Sequence, residues 1–172
     1  MKVLIVDTET SQLVSTLPLE NFHILQLSWI VYDTDTETSE ENDFILHCPI
    51  PIKNSHIHGI TDEIASEGYQ FSEIIDIFLE DVQFADILCG YNLNYDLNAL
   101  EIHLDRLGRY DDIDIIFNKK HCDPMKIYSN LLHSKYVKLT VLYYKLFGEG
   151  FDAHNSLEDC KATLRIYLTL KN

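Results

Sequence analysis

Two carboxylates spaced one residue apart, Asp7 and Glu9, follow directly on the apolar run Val3-Leu4-Ile5-Val6. Side chains alternate along an extended chain, so both acids point the same way. Like charges side by side are unfavourable unless a cation neutralises them. The pattern therefore suits a metal site, and equally a strand that ends in a solvated acidic turn. Three more residues could do chemistry with this pair. Asp96 comes just after a short apolar stretch, and Asp159 lies five positions beyond His154. Each also has a structural reading. Asp96 and Asp159 fall in the first turns of expected helices, where an acid complements the helix dipole. A histidine just ahead of a helix is more often structural than catalytic.

The elements that would position these residues follow from periodicity. Val3–Val6 reads as a strand buried on both faces, with Asp7 at its C-terminal end. A polar connection over Ser11–Asn21 leads to a second strand, Ile24–Tyr32, in which Gln26 and Ser28 give part-alternation. Six acids between Asp33 and Asp43 are expected to form a solvated hairpin loop, followed by a third strand, Phe44–Cys48. The period then changes. Thr61 is expected to cap a helix, and Phe71, Ile74, Ile75, Phe78 and Leu79 mark one face of another, with Ser72 as its cap. Asp86–Tyr91 is a fourth strand. Asn94 caps a helix striped by Leu97, Leu100, Leu104 and Leu107 and closed by Gly108. His121-Cys122-Asp123 is a fifth short strand. Leu139–Phe147 and about Ser156–Leu170 are the last helices. Strands first and strand–helix alternation later give an α/β domain with a mixed sheet, expected as one domain over residues 1–172.

The formal net charge of −15 is unusual for a nucleic-acid binder. The load is one-sided: residues 1–100 hold two basic groups against 18 acids, and the remainder 11 against 10. A polyanion would have to use the C-terminal half or bound cations, with Lys119, Lys120, Lys126, Lys135 and Lys138 as candidate phosphate contacts or as solvated surface. No apolar window approaches a membrane span, and Met1 leads straight into the first strand rather than a signal peptide. Cys48, Cys89, Cys122 and Cys160 show neither zinc nor disulfide spacing. They are expected as reduced thiols in an intracellular, cytoplasmic setting.

Taken together, three segments resemble the DEDDh exonucleases of the proofreading superfamily. Val6-Asp7-Thr8-Glu9-Thr10 matches the first motif of that family. Gly90-Tyr91-Asn92-Leu93-Asn94-Tyr95-Asp96 matches the second, with Tyr91 where many members have His. Ala153-His154-Asn155-Ser156-Leu157-Glu158-Asp159 is the closest match. His58-Gly59-Ile60-Thr61 and Lys138-Leu139 also fit, so the resemblance spans the chain.

The resemblance implies an RNase H-like (DnaQ-like exonuclease) α/β fold, with a central mixed five-stranded sheet flanked by helices. It implies two divalent cations, Mg²⁺ or Mn²⁺, whose hardness suits oxygen ligands. Asp7 would bridge them, Glu9 and Asp159 would serve the first, and Asp96 the second. His154 would be the general base; the ordinary histidine pKa near 6.5 suits that task. Five residues along a helix turn roughly 140° off-face, so His154 is expected in the loop ahead of Asp159. Thr8, Thr10, Asn92, His58 and Ile60 are expected at the terminal nucleotide, with Ile60 against its base. The reaction implied is metal-dependent 3′→5′ hydrolysis of single-stranded nucleic acid to nucleoside 5′-monophosphates. The His58–Thr61 segment favours DNA, with a polymerase as a possible partner. The alternatives are an RNA-directed enzyme of the same superfamily and a catalytically idle domain that binds nucleic acid or a polymerase.

Overall fold

The computed structural model describes residues 1–16, 18–133 and 136–170. Lys135, one of the candidate phosphate contacts, lies outside them. The apolar run forms the central strand β1 (Lys2–Thr10), with Val3, Leu4, Ile5 and Val6 at most 1% exposed. Burial on both faces explains why no polar residue interrupts it. β2 (Ile24–Asp33) and β3 (Thr38–Ile45) continue from it as an antiparallel meander. β4 (Ile87–Cys89) lies parallel on the other side of β1, and β5 (Lys120–Cys122) parallel beyond it. The strand order β3-β2-β1-β4-β5 is the expected mixed five-stranded sheet.

Helices cover both faces. α1 (Ser55–His58) and α2 (Asp62–Ser66) are short and follow β3. On one face α3 (Phe71–Phe84), α4 (Asn94–Arg106) and α5 (Tyr110–Phe117) pack against Leu4, Val6, Leu27 and Trp29 through Ile75, Phe78, Leu100, Leu104 and Ile116. On the other face α8 (Ser156–Thr169) lays Cys160 and Tyr167 on Val3, Ile5 and Ile30. α6 (Pro124–Leu131) and α7 (Leu139–Phe147) pack outside α8 through Met125, Leu142 and Tyr143 against Ala162 and Ile166.

Several boundaries differ from the expected ones. β1 does not stop at Asp7 but runs on to Thr10, because β2 pairs with it along its whole length. The acidic tract is mostly strand rather than loop. A tight turn over residues 34–37, with Glu37 at φ 58°, feeds the edge strand β3, whose Glu40 and Glu41 face water. An edge strand tolerates charge that a central strand would not. β4 is only three residues long. The cap of α3 is Gln70, in a reciprocal box with Glu73, not Ser72. Asn94 is the first residue of α4 and its side chain caps nothing; Leu93 precedes it. Asn155, not Ser156, caps α8. α6 is absent from the expected elements. It starts where the Asp123 carboxylate accepts the N–H groups of Met125 and Lys126, with Pro124 in its first turn. Lys119 donates to the carbonyls of Gln83 and Ala85, and Lys126 to Asn94 Oδ1, so both have structural partners.

The acids owe their placement to a gap in the sheet. β4 pairs with β1 only from Val3 to Ile5. From Val6 onward β1 has a neighbour on one side alone, and Gly90 turns the chain away at that point. A Cβ on Gly90 would lie 3.0 Å from the Val6 carbonyl oxygen and 2.8 Å from Leu93 Cδ1. Gly90→Ala is therefore expected to push β4 from β1 and to lower stability by about 1–3 kcal/mol. Chemical denaturation checks this; an unchanged midpoint would show that the turn has room to spare.

Candidate active site

Asp7 and Glu9 lie on the β1 face that α8 covers, since they share parity with Val3 and Ile5. Asp159, in the first turn of α8, meets them. One carboxylate oxygen from each of the three lies within 4.8 Å of the other two. Thr8 points to the opposite face, where its hydroxyl donates to Asp96 Oδ1 at 2.8 Å. Asp96 is 3% exposed and sits in the first turn of α4, the helix that begins just past the end of β4. It reaches the site through the gap that the short β4 leaves beside β1. The four acids predicted from sequence thus converge, three as a tight group and Asp96 beside them.

Electrostatics describe the same crowding. Burial, then the charges of Asp96, Asp159 and Glu9, push the Asp7 carboxyl well above the usual range. Burial, then Asp159 and Asp96, raise Glu9 to about 8. Burial raises Asp96 to about 7 against the opposing Thr8 hydrogen bonds, with Asp123 adding to the rise. Burial raises Asp159 to about 7 against the His154 backbone N–H, with Glu158 and Asp152 adding to the rise. Asp159 Oδ1 is buried without a hydrogen-bond partner. Clustered oxygen donors that hold protons for want of a counter-charge fit a divalent cation.

His154 lies in the loop ahead of α8, exposed and at φ 70°. Its ring is close enough to His58 to lower the pKa of that side chain, after burial and His56. His58 Nδ1 accepts from the Ile60 N–H at 3.1 Å. The proton of the neutral ring is then on Nε2, a donor with no partner.

A cavity of about 600 Å³ opens beside Glu9, within the usual size for a small-ligand pocket. Thr8, Thr10 and His58 line it, as expected. Ile60 does not. Gly59, left-handed at φ 76°, turns the chain so that Ile60 packs with Leu25 and Ala65 at 4% exposure. The apolar residues in the cavity wall are instead Leu13, Pro18 and Ile57, with Leu13 and Ile57 exposed. Asn92 is not in the wall either. It sits in the turn before α4 at φ 63°, and its N–H donates to Asp123 Oδ1. Sequence reasoning missed Lys53, Asn54 and Tyr95, which line the cavity. Asn54 Nδ2 donates to the Thr10 carbonyl at 2.8 Å, and the Tyr95 and Thr10 hydroxyls meet at 2.6 Å. Tyr95 was legible only as the aromatic beside Asp96; Lys53 and Asn54 carry no local signal.

Comparisons with known proteins bear on this geometry. Residues 4–167 match the family model RNase_T, described as exonuclease. No curated protein sequence gives a significant match. Among solved structures, the nuclease domain of 3′hExo, a DEDDh family member bound to rAMP, is 19% identical with a TM-score of 0.76, over 99% of this chain and 91% of that one. A full-length 3′-exonuclease gives 19% and 0.75 over 99% of this chain and 60% of the other. A 3′-exonuclease recognising the histone mRNA stem-loop gives 18% and 0.76 over 98% and 63%. The chain thus spans about three-fifths of these two longer relatives. A family B DNA polymerase from Pyrobaculum calidifontis gives 14% and 0.65, over 99% of this chain and 24% of that one.

The raised carboxyl pKa values carry a sign for stability. Folded, these groups keep protons to about pH 7–8, whereas unfolded acids release them near pH 4. Between those limits the folded state binds more protons, so stability falls as pH rises. Chelator-treated protein is expected to melt lower at about pH 8 than at about pH 5. Mn²⁺ should raise the melting temperature more at the higher pH, where protons no longer compete. Asp7→Asn should raise the metal-free melting temperature at about pH 8 and blunt the response to Mn²⁺. A flat melting profile that ignores Mn²⁺ would refute the site.

Proposed function

The chain belongs to the exonuclease family, and from that membership we propose that it is a metal-dependent 3′→5′ exonuclease acting on single-stranded ends, DNA before RNA. The observation that carries the reading is the convergence of Asp7, Glu9 and Asp159, with Asp96 beside them, next to a cavity large enough for a nucleotide. Asp7, Glu9, Asp96 and Asp159 would hold two divalent cations, Mg²⁺ or Mn²⁺. Bound there, the cations would lower the pKa of the attacking water and offset negative charge on the leaving oxygen.

The chain's own groups do the rest. The cavity seats the 3′-terminal nucleotide, so the next phosphodiester comes to the acids. Thr8 holds Asp96 in place. His58 offers its Nε2–H to a substrate oxygen. His154, outside the acid cluster, takes the proton from the attacking water at its ring nitrogen. Hydrolysis on the 5′ side of the terminal nucleotide yields a nucleoside 5′-monophosphate and a shortened 3′ end. The DNA preference rests on the His58–Thr61 segment. The RNA-directed reading is favoured by the fold's likeness to a 3′-exonuclease that recognises an mRNA stem-loop. Likeness to part of a DNA polymerase supports a polymerase as partner. None of Cys48, Cys89, Cys122 and Cys160 is in a disulfide, which suits a reducing compartment. Among the described residues no helix is long and apolar enough to cross a membrane.

A 5′-labelled single strand is expected to shorten stepwise from its 3′ end with Mg²⁺ and to survive intact with chelator. Matched DNA and RNA strands assign the sugar. Cutting of a circular single strand at the same rate would overturn the exonuclease reading. His154→Ala should keep metal and substrate binding but lose about 10²–10⁴-fold in kcat, the scale of a general base. Single-turnover rates at saturating Mg²⁺ measure this. A wild-type rate in the variant would make the histidine structural.

A further inference from the structure

The first turn of α8 is tied to the sheet by hydrogen bonds among residues that take no part in holding metal or substrate. Gln26 and Ser28 on β2 stand opposite Glu9 and Asp7 in the antiparallel register and share their face. They are 2% and 0% exposed. Polar groups buried to that degree are costly unless hydrogen-bonded. Asp43, opposite Ser28 on β3, accepts from Gln26 Nε2 and from Ser28 Oγ on the same oxygen, Oδ1, at 2.7 Å each. Ser28 has one hydroxyl proton, and Asp43 receives it. In the contact between the Ser28 and Ser156 hydroxyls, Ser156 is therefore the donor. The bond from Gln26 Nε2 to Asp43 likewise leaves Gln26 Oε1 to accept the Ser156 backbone N–H at 3.3 Å. Ser156 is 0% exposed. One turn further, Cys160 Sγ donates to the Ser28 carbonyl at 3.4 Å. The protons run in one direction, Ser156 to Ser28 to Asp43.

We propose that Asp43, Gln26, Ser28 and Ser156 are positioning residues that pin the first turn of α8, and so Asp159 and the His154 backbone, against Asp7 and Glu9. The inference rests on the metal-dependent reading of the acid cluster. Asp159 lies three residues beyond Ser156, among carboxylates that repel it, so something must hold it there before a cation does. The Asn155 cap is local to the helix and fixes nothing to the sheet. The apolar contacts of Cys160 and Tyr167 hold α8 down, but apolar contact is non-directional. Directed bonds set how far along β1 the first turn sits; those made by Ser156 come from β2, and a turn further Cys160 Sγ also reaches the Ile5 carbonyl of β1 at 3.8 Å. Cross-strand pairing then places Ser28 beside Asp7 and Gln26 beside Glu9, so the groups that hold α8 are registered to the groups it must meet.

The test compares Ser28→Ala, Ser156→Ala, Asp43→Ala and Asp43→Asn. Mn²⁺ affinity is read by titration calorimetry, kcat and KM on a 5′-labelled single strand, and folding by melting temperature. Ser28→Ala is expected to lose about 10–100-fold in Mn²⁺ affinity and in kcat, the usual effect of removing support behind metal ligands, with KM nearly unchanged. Ser156→Ala should lose less. It leaves Ser28 donating to Asp43, whereas Ser28→Ala strands the buried Ser156 hydroxyl. Asp43→Ala should resemble Ser28→Ala, and Asp43→Asn, which keeps an oxygen acceptor, should recover most of the loss. Asp43 lies on the exposed edge strand, so its two variants keep the test open if Ser28→Ala does not fold. Wild-type Mn²⁺ affinity in folded Ser28→Ala and Asp43→Ala overturns the proposal. So does an Asp43→Asn as impaired as Asp43→Ala, which would make charge rather than hydrogen bonding the cause. Wild-type protein that binds Mn²⁺ but cuts no nucleic acid would sink the exonuclease reading, and Mn²⁺ affinity alone would then decide between these outcomes.

Discussion

Mutual repulsion among Asp7, Glu9, Asp96 and Asp159 is the constraint around which the molecule is arranged. A chain with freedom to do so would spread these carboxylates apart. Here three elements anchored in the apolar core bring them together: the most buried strand of the sheet, a helix on one face and a helix on the other. Each anchor is apolar and extensive. Val3–Val6 fixes β1, Leu97, Leu100 and Leu104 fix α4, and Cys160, Ile166 and Tyr167 fix α8. Burial of that apolar surface offsets the unfavourable crowding at its edge. The repulsion is also stored capacity, because a divalent cation relieves it.

Much of this was legible in the sequence. The apolar run into Asp7-x-Glu9 showed both the central strand and the two acids, and Leu97, Leu100 and Leu104 showed the face that α4 turns to the core. What was illegible depended on partners distant in the chain. Nothing near Glu40 and Glu41 says that they lie on a strand, because this end of the edge strand is exposed on both faces and so shows no apolar alternation. Gln26 and Ser28 looked like the wet side of a half-buried strand, yet both are sealed under α8 through Ser156, some 130 residues away. Ile60 looked like a base contact; only the left-handed turn at Gly59 shows that it faces inward. α6 was hidden because its start is signalled by Asp123-Pro124, which also closes the fifth strand.

The acids of the N-terminal half are unevenly spread over the surface. Six of the 18 acids of the N-terminal half lie between Asp33 and Asp43, on the β2–β3 hairpin at the far edge of the sheet from β4 and β5. There Glu41 is paired with Lys161 across the top of α8. Charged side chains on an unpaired edge also discourage another chain from adding to it.

The short β4 has a dynamic consequence. Beyond Ile5 the backbone of β1 is laddered to β2 alone, so the stretch that carries Asp7 and Glu9 can separate from the sheet without breaking the β1–β4 ladder. Amide hydrogen exchange would divide this strand into a slow half, opening only with global unfolding, and a faster half containing the acids. Cation binding would slow the second half selectively. Opening of that stretch would leave the core that defines the fold shut.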